Sequence, residues 1–360
     1  MPPRPEVIAW LRETAARDGS DLYLTYGAPP MVRNNRGIRP IGSDPLDDRV
    51  LSQIIGNLTT LEQQGEFAAK HEFNMSLDLG TLGRFRVNLL QQRQHAAVVI
   101  RRIMTAIPTL DGLGLPELLG QLCCEPRGMV LMVGVTGSGK STSLAAMIDY
   151  RNRRQEGHIL TIEDPIEYVH DHKMSIVTQR EVGTDTGSFA TALQNAMRQR
   201  PDAILVGEIR EREVMRQAIA AADTGHLAMA TLHAKNADQA IDRVINFFDP
   251  EERPQVLLSM AFNLRAILSQ RLVRTVDGGR TVALEILLNE HGAARMIRDG
   301  DVKGLKPLMA TGTGGMQTFE QCLLGLWQAG RIDTATAMAE ADDRPAMRSA
   351  LDAASVTEGI

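Results

Sequence analysis

The chain has 360 residues, a formal net charge of −5, 43% hydrophobic and 23% charged residues, and only 4% aromatics. That length suits about two or three domains of ~150 residues, with cores built mainly from aliphatic and methionine side chains. The negative balance argues against a nucleic-acid-binding protein, and no apolar run reaches the ~20 residues needed to span a bilayer.

In chain order, Val7, Ile8, Leu11 and Ala15 fall on one face of a helix over residues 5–18, ended by Gly19. SDLYLTYG (20–27) alternates as a strand does, and APP (28–30) breaks it. Short extended pieces follow at 31–33 and 38–41, then helices over 46–57 and 60–70. FNMSLDLG (73–80) alternates again, and LGRFRVNLLQ with AAVVIRRIM makes a hairpin around QRQH. Residues 1–105 thus read as a small α+β domain. IPTLDGLGLP, with two Pro and two Gly, reads as a linker within residues 106–118.

After it the pattern changes. Apolar runs without alternation occupy 128–135, 158–163, 203–208 and 226–233, separated by helical stretches. Such runs indicate a mainly parallel sheet covered on both faces, giving an α/β core over residues 119–290. Residues 291–345 read as helical, as in TFEQCLLGLWQAG (318–330), and 346–360 as a tail whose end frays. The first residues lack the apolar region of a signal peptide. A cytoplasmic protein with peripheral membrane contact is expected. Cys123, Cys124 and Cys322 form no C-x-x-C pair, so no structural zinc is expected.

The hairpin has a consequence. With Gln92 to His95 as its loop, Val87 faces Ile100 and Leu89 faces Val98, a single apolar face. The same register sets Arg86 opposite Arg101. Two adjacent guanidiniums are unfavourable unless an anion lies near them. Carboxylates such as Glu72 or Asp78 could supply it. So could a γ-phosphate, with both arginines acting as fingers on a nucleotide.

GVTGSGKS (134–141) follows an apolar strand and opens a helix, the context that gives G-x-x-x-x-G-K-[ST] its meaning. Gly134, Gly137 and Gly139 let the backbone wrap a phosphate chain, and the helix start adds its dipole. Thr136, Ser138 and Thr142 complete the binding stretch. Lys140 is expected on the β- and γ-phosphates of ATP, and the Ser141 hydroxyl on Mg²⁺.

Two acidic groups are candidates for the chemistry. Glu208 ends the run AILVGE, where a carboxylate would serve the metal, directly or through water. TIEDPIE gathers Glu163, Asp164 and Glu167 on a turn fixed by Pro165; Glu163 is the candidate base for the attacking water. The residues alone leave an acidic surface turn as the other reading. His226 and His233 bracket LAMATL. Two imidazoles without a nearby cysteine are poor zinc ligands. They read either as packing groups or as hydrogen-bond donors near phosphate.

GVTGSGKSTSLAAMI, ILTIEDPIEYVH, PDAILVGEIRERE and TGHLAMATLH, in this order, resemble the Walker A, Asp box, Walker B and His box of the secretion-type ATPases. The resemblance covers nearly the whole chain. GSDLYLTYGAPP, IVTQREVG, NLRAILSQRLV, LKPLM and GMQTF make it similar to the type IV pilus retraction ATPases, the PilT/PilU family, and to their PilU-type members. The resemblance implies a PAS-like N-terminal domain and a RecA-like P-loop ATPase domain, assembled as a cytoplasmic homo-hexamer at the inner membrane. It implies roles for Glu163 as general base, Glu208 as Walker B glutamate, His226 and His233 as the His box, and Arg86 and Arg101 as arginine fingers. The implied partners are a main PilT-type motor and the inner-membrane pilus platform protein. One departure stands out: where PilT-type motors carry AIRNLIRE, this chain reads GAARMIRDGDV (292–302). That fits an accessory motor. The rival expectation is a nucleotide-binding scaffold with incidental hydrolysis.

Overall fold

The computed structural model describes residues 5–34, 37–103, 106–290 and 292–358. It divides into two compact units, residues 1–106 and 107–360.

The first unit holds strands β1 (Asp21–Thr25), β2 (Met31–Asn34), β3 (Gly37–Pro40), β4 (Glu72–Asp78), β5 (Arg84–Gln92) and β6 (His95–Arg102). They form one sheet in the order β3-β2-β1-β6-β5-β4, with every neighbour antiparallel. Period-2 alternation explains the burial. Phe85, Val87 and Leu89 of β5 are buried, while Arg86 and Asn88 between them are only partly covered. Helices Pro5–Ala16 and Asp48–Leu58 lend Val7, Leu11, Leu51 and Ile54 to the same core. Each such side chain stabilises the fold by about 1.5–3 kcal/mol. Gly19 follows the first helix, where a Cβ would lie 2.5 Å from Val32 Cγ1; only glycine admits that approach.

The hairpin pairs Arg86 with Arg101, Val87 with Ile100 and Leu89 with Val98. The register agrees with the sequence reading, but the loop is tighter. Gln92 and His95 still pair, leaving Arg93 (φ 47°) and Gln94 (φ 70°) as a two-residue turn. Positive φ at both centres is the type I′ pattern, whose twist matches the strands. Neither residue is the glycine or asparagine that usually announces it.

The second unit holds β7 (Gly128–Val133), β8 (Gly157–Glu163), β9 (Ser175–Glu181), β10 (Ala203–Val206), β11 (Leu227–Leu232), β12 (Leu264–Arg274) and β13 (Arg280–Leu288). Their order is β13-β12-β7-β11-β10-β8-β9, parallel throughout except for the β12–β13 pair. Every residue of β7, β10 and β11 is buried, as an apolar run between two helical layers should be. Strands β9, β12 and β13 were not legible as apolar runs. β9 lies at the sheet edge with polar TQRE, and β12 carries Ser269, Gln270 and Arg271.

Two boundaries differ from expectation. The stretch read as a linker packs Leu110 and Leu115 into the core of the second unit, around a short turn at Asp111–Leu113. Of the stretch read as a tail, the last two residues lie outside the described ones, and residues 346–358 lie in helix Arg344–Glu358, whose Met347 and Leu351 pack in one cluster with Phe319 and Leu323. Its apolar residues recur at i and i+4, a signal the short alanine-rich context obscured. No helix among the described residues is long and apolar enough to cross a membrane.

Candidate active site

The phosphate loop runs from the buried end of β7 into helix Lys140–Asn152. Its shape is held from behind by Gln270 of β12, which is 1% exposed. Gln270 Nε2 donates to the Ser138 carbonyl at 2.8 Å, and its Oε1 accepts from Ser143 Oγ at 2.8 Å. Gly134 (φ 155°) lies so near β12 that a Cβ there would meet Gln270 O at 2.5 Å. The Gly139 cap supplies no side-chain bond to the first-turn amides. Those amides have no intrahelical partner, so they are open to an anion.

Lys140 is buried, and its Nζ donates to the carbonyls of Gly134 (2.7 Å) and Val135 (3.0 Å). Burial lowers its pKa, while the charges of Glu208 and Glu167 oppose that shift. Ser138 Oγ is buried without a hydrogen-bond partner, a donor in want of an acceptor. Ser141 is exposed, and the Thr142 hydroxyl lies 3.0 Å from the Tyr168 hydroxyl.

The carboxylates stand at neighbouring strand ends. Glu163 is the last residue of β8; Glu208 lies two residues past β10. Gly207 between them donates its N–H to Ile162 O at 2.7 Å, and a Cβ there would come within 3.2 Å of Glu163 Cα. Glu163 Oε1 accepts from Thr161 Oγ1 (2.6 Å) and Gln179 Nε2 (3.2 Å). Burial nevertheless raises the Glu163 pKa, with those hydrogen bonds opposing the shift. Glu208 Oε1 lies 2.7 Å from His233 Nε2, and its Oε2 accepts from Arg210 Nη2 at 2.5 Å. Burial would raise its pKa too, but Arg210, His233 and Lys140 outweigh it and leave it below the usual range.

The loop, Glu163, Glu208 and His233 thus gather at the carboxyl ends of the parallel strands, where such sheets bind ligands. His226 is not brought there. It precedes β11, at the opposite end of that six-residue strand from His233. Its carbonyl accepts from Gly128 N at 3.0 Å, and its Nδ1 lies 3.2 Å from Ala221 O. Strand direction separates two histidines that look alike in sequence. Arg86 and Arg101 belong to the other unit. There Arg101 Nε donates to Asp21 Oδ1 at 2.8 Å, an ion pair with a carboxylate the sequence reading did not name. Sequence reasoning missed Gln270, Thr161, Gln179 and Arg210 as site residues. Gln270 lies within NLRAILSQRLV, but nothing local marks it as facing the loop.

The family model described as "Type II/IV secretion system protein" matches residues 62–304, more than half of the chain. The chain belongs to this family. Within it, the chain is 48% identical to the type IV pilus ATPase PilU of Pseudomonas aeruginosa, over 94% of this chain and 89% of that protein. It is 40% identical to the retraction ATPase PilT of the same organism, over 93% and 98% respectively. A crystal structure of the pilus retraction motor PilT with bound ADP superposes with a TM-score of 0.88 at 38% identity, covering 95% and 98% of the two chains. The molecule is a secretion ATPase of the PilT/PilU type, with an antiparallel PAS-like N-terminal sheet and a parallel P-loop ATPase sheet.

For such an ATPase the geometry divides the work. The loop amides and Lys140 present hydrogen-bond donors to an anion. The environment of Glu163 favours accepting a proton, and that of Glu208 favours staying charged. A carboxylate whose pKa is raised by burial and one kept charged by its cationic partners thus stand at neighbouring strand ends.

Proposed function

We propose that this chain is an ATP-hydrolysing motor of type IV pilus retraction, working as a homo-hexamer on the cytoplasmic face of the inner membrane. In this reading it serves as an accessory to a main PilT-type motor and acts on the pilus platform protein. The observation that carries it is the convergence of Lys140, Glu163 and Glu208 at one end of the parallel sheet. The names of its relatives, a pilus ATPase and a retraction ATPase, support the destination of the work.

In the proposed mechanism Glu163 takes the proton of the attacking water. Glu208, with His233 on one oxygen, senses whether the terminal phosphate is present. Mg²⁺ would be held by Ser141 and by Glu208, directly or through water, and would neutralise charge on the phosphates. Few protein ligands suffice because that ion keeps water and phosphate oxygens in its shell. Arg86 and Arg101 supply guanidiniums to the transferring phosphoryl group. Loss of that group then loosens one arrangement of the units and drives the stroke.

The test pairs biochemistry with cells. Purified protein with Mg²⁺ should hydrolyse ATP, and Glu208→Gln should lower turnover by about 10²-fold or more. Imaging of pilus length in cells lacking this protein, with and without other retraction motors, should show slowed or absent shortening. Normal retraction in cells carrying only the Glu208→Gln form would favour the scaffold reading instead.

A further inference from the structure

Residues 164–174, which join β8 to β9, are strapped along helix Lys140–Asn152. At the far end Asn152, the last residue of that helix, is fully buried. Its Nδ2 donates to Asp171 O at 2.7 Å, and its Oδ1 accepts from the N–H groups of Lys173 (3.2 Å) and Ser175 (3.3 Å). Lys173 Nζ pairs with Asp149 of the same helix. At the near end the Tyr168 and Thr142 hydroxyls lie 3.0 Å apart, in the first turn after the phosphate loop. The segment therefore follows the helix from its first turn to its last residue.

Gln179 of β9 fastens the same segment to Glu163. Parallel pairing sets Thr161 beside Gln179 and Glu163 beside Glu181. Residues two apart on a strand share a face, so Gln179 and Glu163 point the same way. Gln179 Oε1 accepts from His170 N at 2.7 Å, and its Nε2 donates to Tyr168 O at 2.8 Å and to Glu163 Oε1 at 3.2 Å. Both N–H donors of the amide and its oxygen are thus engaged. Because the amide is planar, a shift of the Tyr168 backbone turns the N–H aimed at Glu163. Contacts run without a break from Thr142 through Tyr168 and Gln179 to Glu163. We propose that Tyr168 is a positioning residue for hydrolysis: its hydroxyl, held on Thr142, fixes Gln179 and thereby sets Glu163 relative to the phosphate loop. The proposal rests on the reading of Glu163 as the base and adds what aims it. Aim matters, because a misplacement of about 1 Å can cost about 10²-fold in rate. The loop amides and Lys140 do not depend on this chain of contacts, so nucleotide binding is left alone.

Variants of the full chain test it. Tyr168→Phe removes one hydroxyl and keeps the ring and the backbone. Its kcat should fall by about tenfold, with the KM for ATP and the inhibition constant of ADP within about twofold of the parent's. It should melt as the parent does. Gln179→Leu removes the donor itself and should lower kcat by about 10²-fold. The double variant should turn over no more slowly than Gln179→Leu alone, because the hydroxyl acts only through that amide. If Gln179→Leu fails to fold, Tyr168→Phe carries the test alone. Parent kcat in Tyr168→Phe, a rise in KM at constant kcat, or losses that multiply in the double variant would overturn the proposal. Glu163→Gln at the parent rate would remove the base reading, and this proposal with it. A large loss in Glu163→Gln beside an unaffected Tyr168→Phe would overturn the positioning role alone.

Discussion

Glu163 and Glu208 are the same residue type at adjacent strand ends, and their surroundings push them apart. Burial raises the Glu163 pKa, while Arg210 and His233 overcome burial at Glu208 and lower it. Two predictions follow from that asymmetry at Glu163. Glu163→Gln removes the proposed base and should lower kcat by about 10²–10⁴-fold. Thr161→Val removes the 2.6 Å hydrogen bond that favours the ionised carboxylate. The proton is then held to higher pH, so the acidic limb of the kcat–pH profile should move upwards. An unmoved limb would show that Glu163 does not govern it. Much of this site was legible. Glycine spacing, a lysine and a serine describe a phosphate loop almost unaided, because that chemistry needs those side chains in that order. Glu163 could be named as a candidate from its strand end, but Thr161, Gln179 and Arg210 could not. Their role depends on where a side chain points, and hydrogen-bond partners distant in sequence leave no periodic trace.

At the scale of elements, Glu285 joins β13 to the start of helix Ala237–Asn246. It is 2% exposed, and its Oε1 accepts from Ala237 N at 2.8 Å and Ser269 Oγ at 3.0 Å. Burial pushes its pKa up to about 7; those two hydrogen bonds oppose the rise, and the charges of Asp238 and Asp342 add to it. The native state thus binds a proton that the unfolded chain has already lost. Stability from this group is fully present below the ordinary carboxylate value. It is lost as pH rises through about 7, and the difference amounts to roughly 3 kcal/mol. A glutamine oxygen can accept the same two bonds. Glu285→Gln should therefore flatten the stability change between pH 5 and pH 8 in urea titrations and be the more stable form at pH 8. A profile as steep as the parent's would assign the titration elsewhere. This element escaped the sequence reading because β12 and β13 mix polar with apolar residues. Their polar side chains are buried in pairs, such as Ser269 with Glu285, and a buried polar pair looks like surface until its partner is known. Strands β7 and β10, wholly apolar, and β11, apolar but for Thr231, carried no such ambiguity.

At the scale of the whole molecule, the phosphate loop belongs to the second unit and the paired arginines to the first. In the proposed hexamer, Arg86 and Arg101 of one subunit complete the site of its neighbour. A mixing experiment separates this from action within one chain. Lys140→Ala disables the loop, and Arg86→Ala disables the finger; each alone should lower turnover by about 10³-fold if a finger of the usual strength is lost. Combined in one ring, an Arg86→Ala subunit retains an intact loop that a Lys140→Ala neighbour can serve with its own arginine. Random assembly in equal parts puts an intact loop beside an intact finger at about one interface in four, so turnover should recover to about a quarter of the parent rate. Action within a single chain allows no such recovery at any ratio, because every subunit then lacks one half of its own site. The mixture must be refolded or exchanged through monomers, and its rate compared with each variant alone at the same total concentration. Recovery that vanishes when Arg101→Ala is added to the Lys140→Ala partner would place both arginines of the β5–β6 hairpin on the neighbouring nucleotide. Retained recovery would confine the trans contribution to Arg86 and leave Arg101 to its ion pair with Asp21.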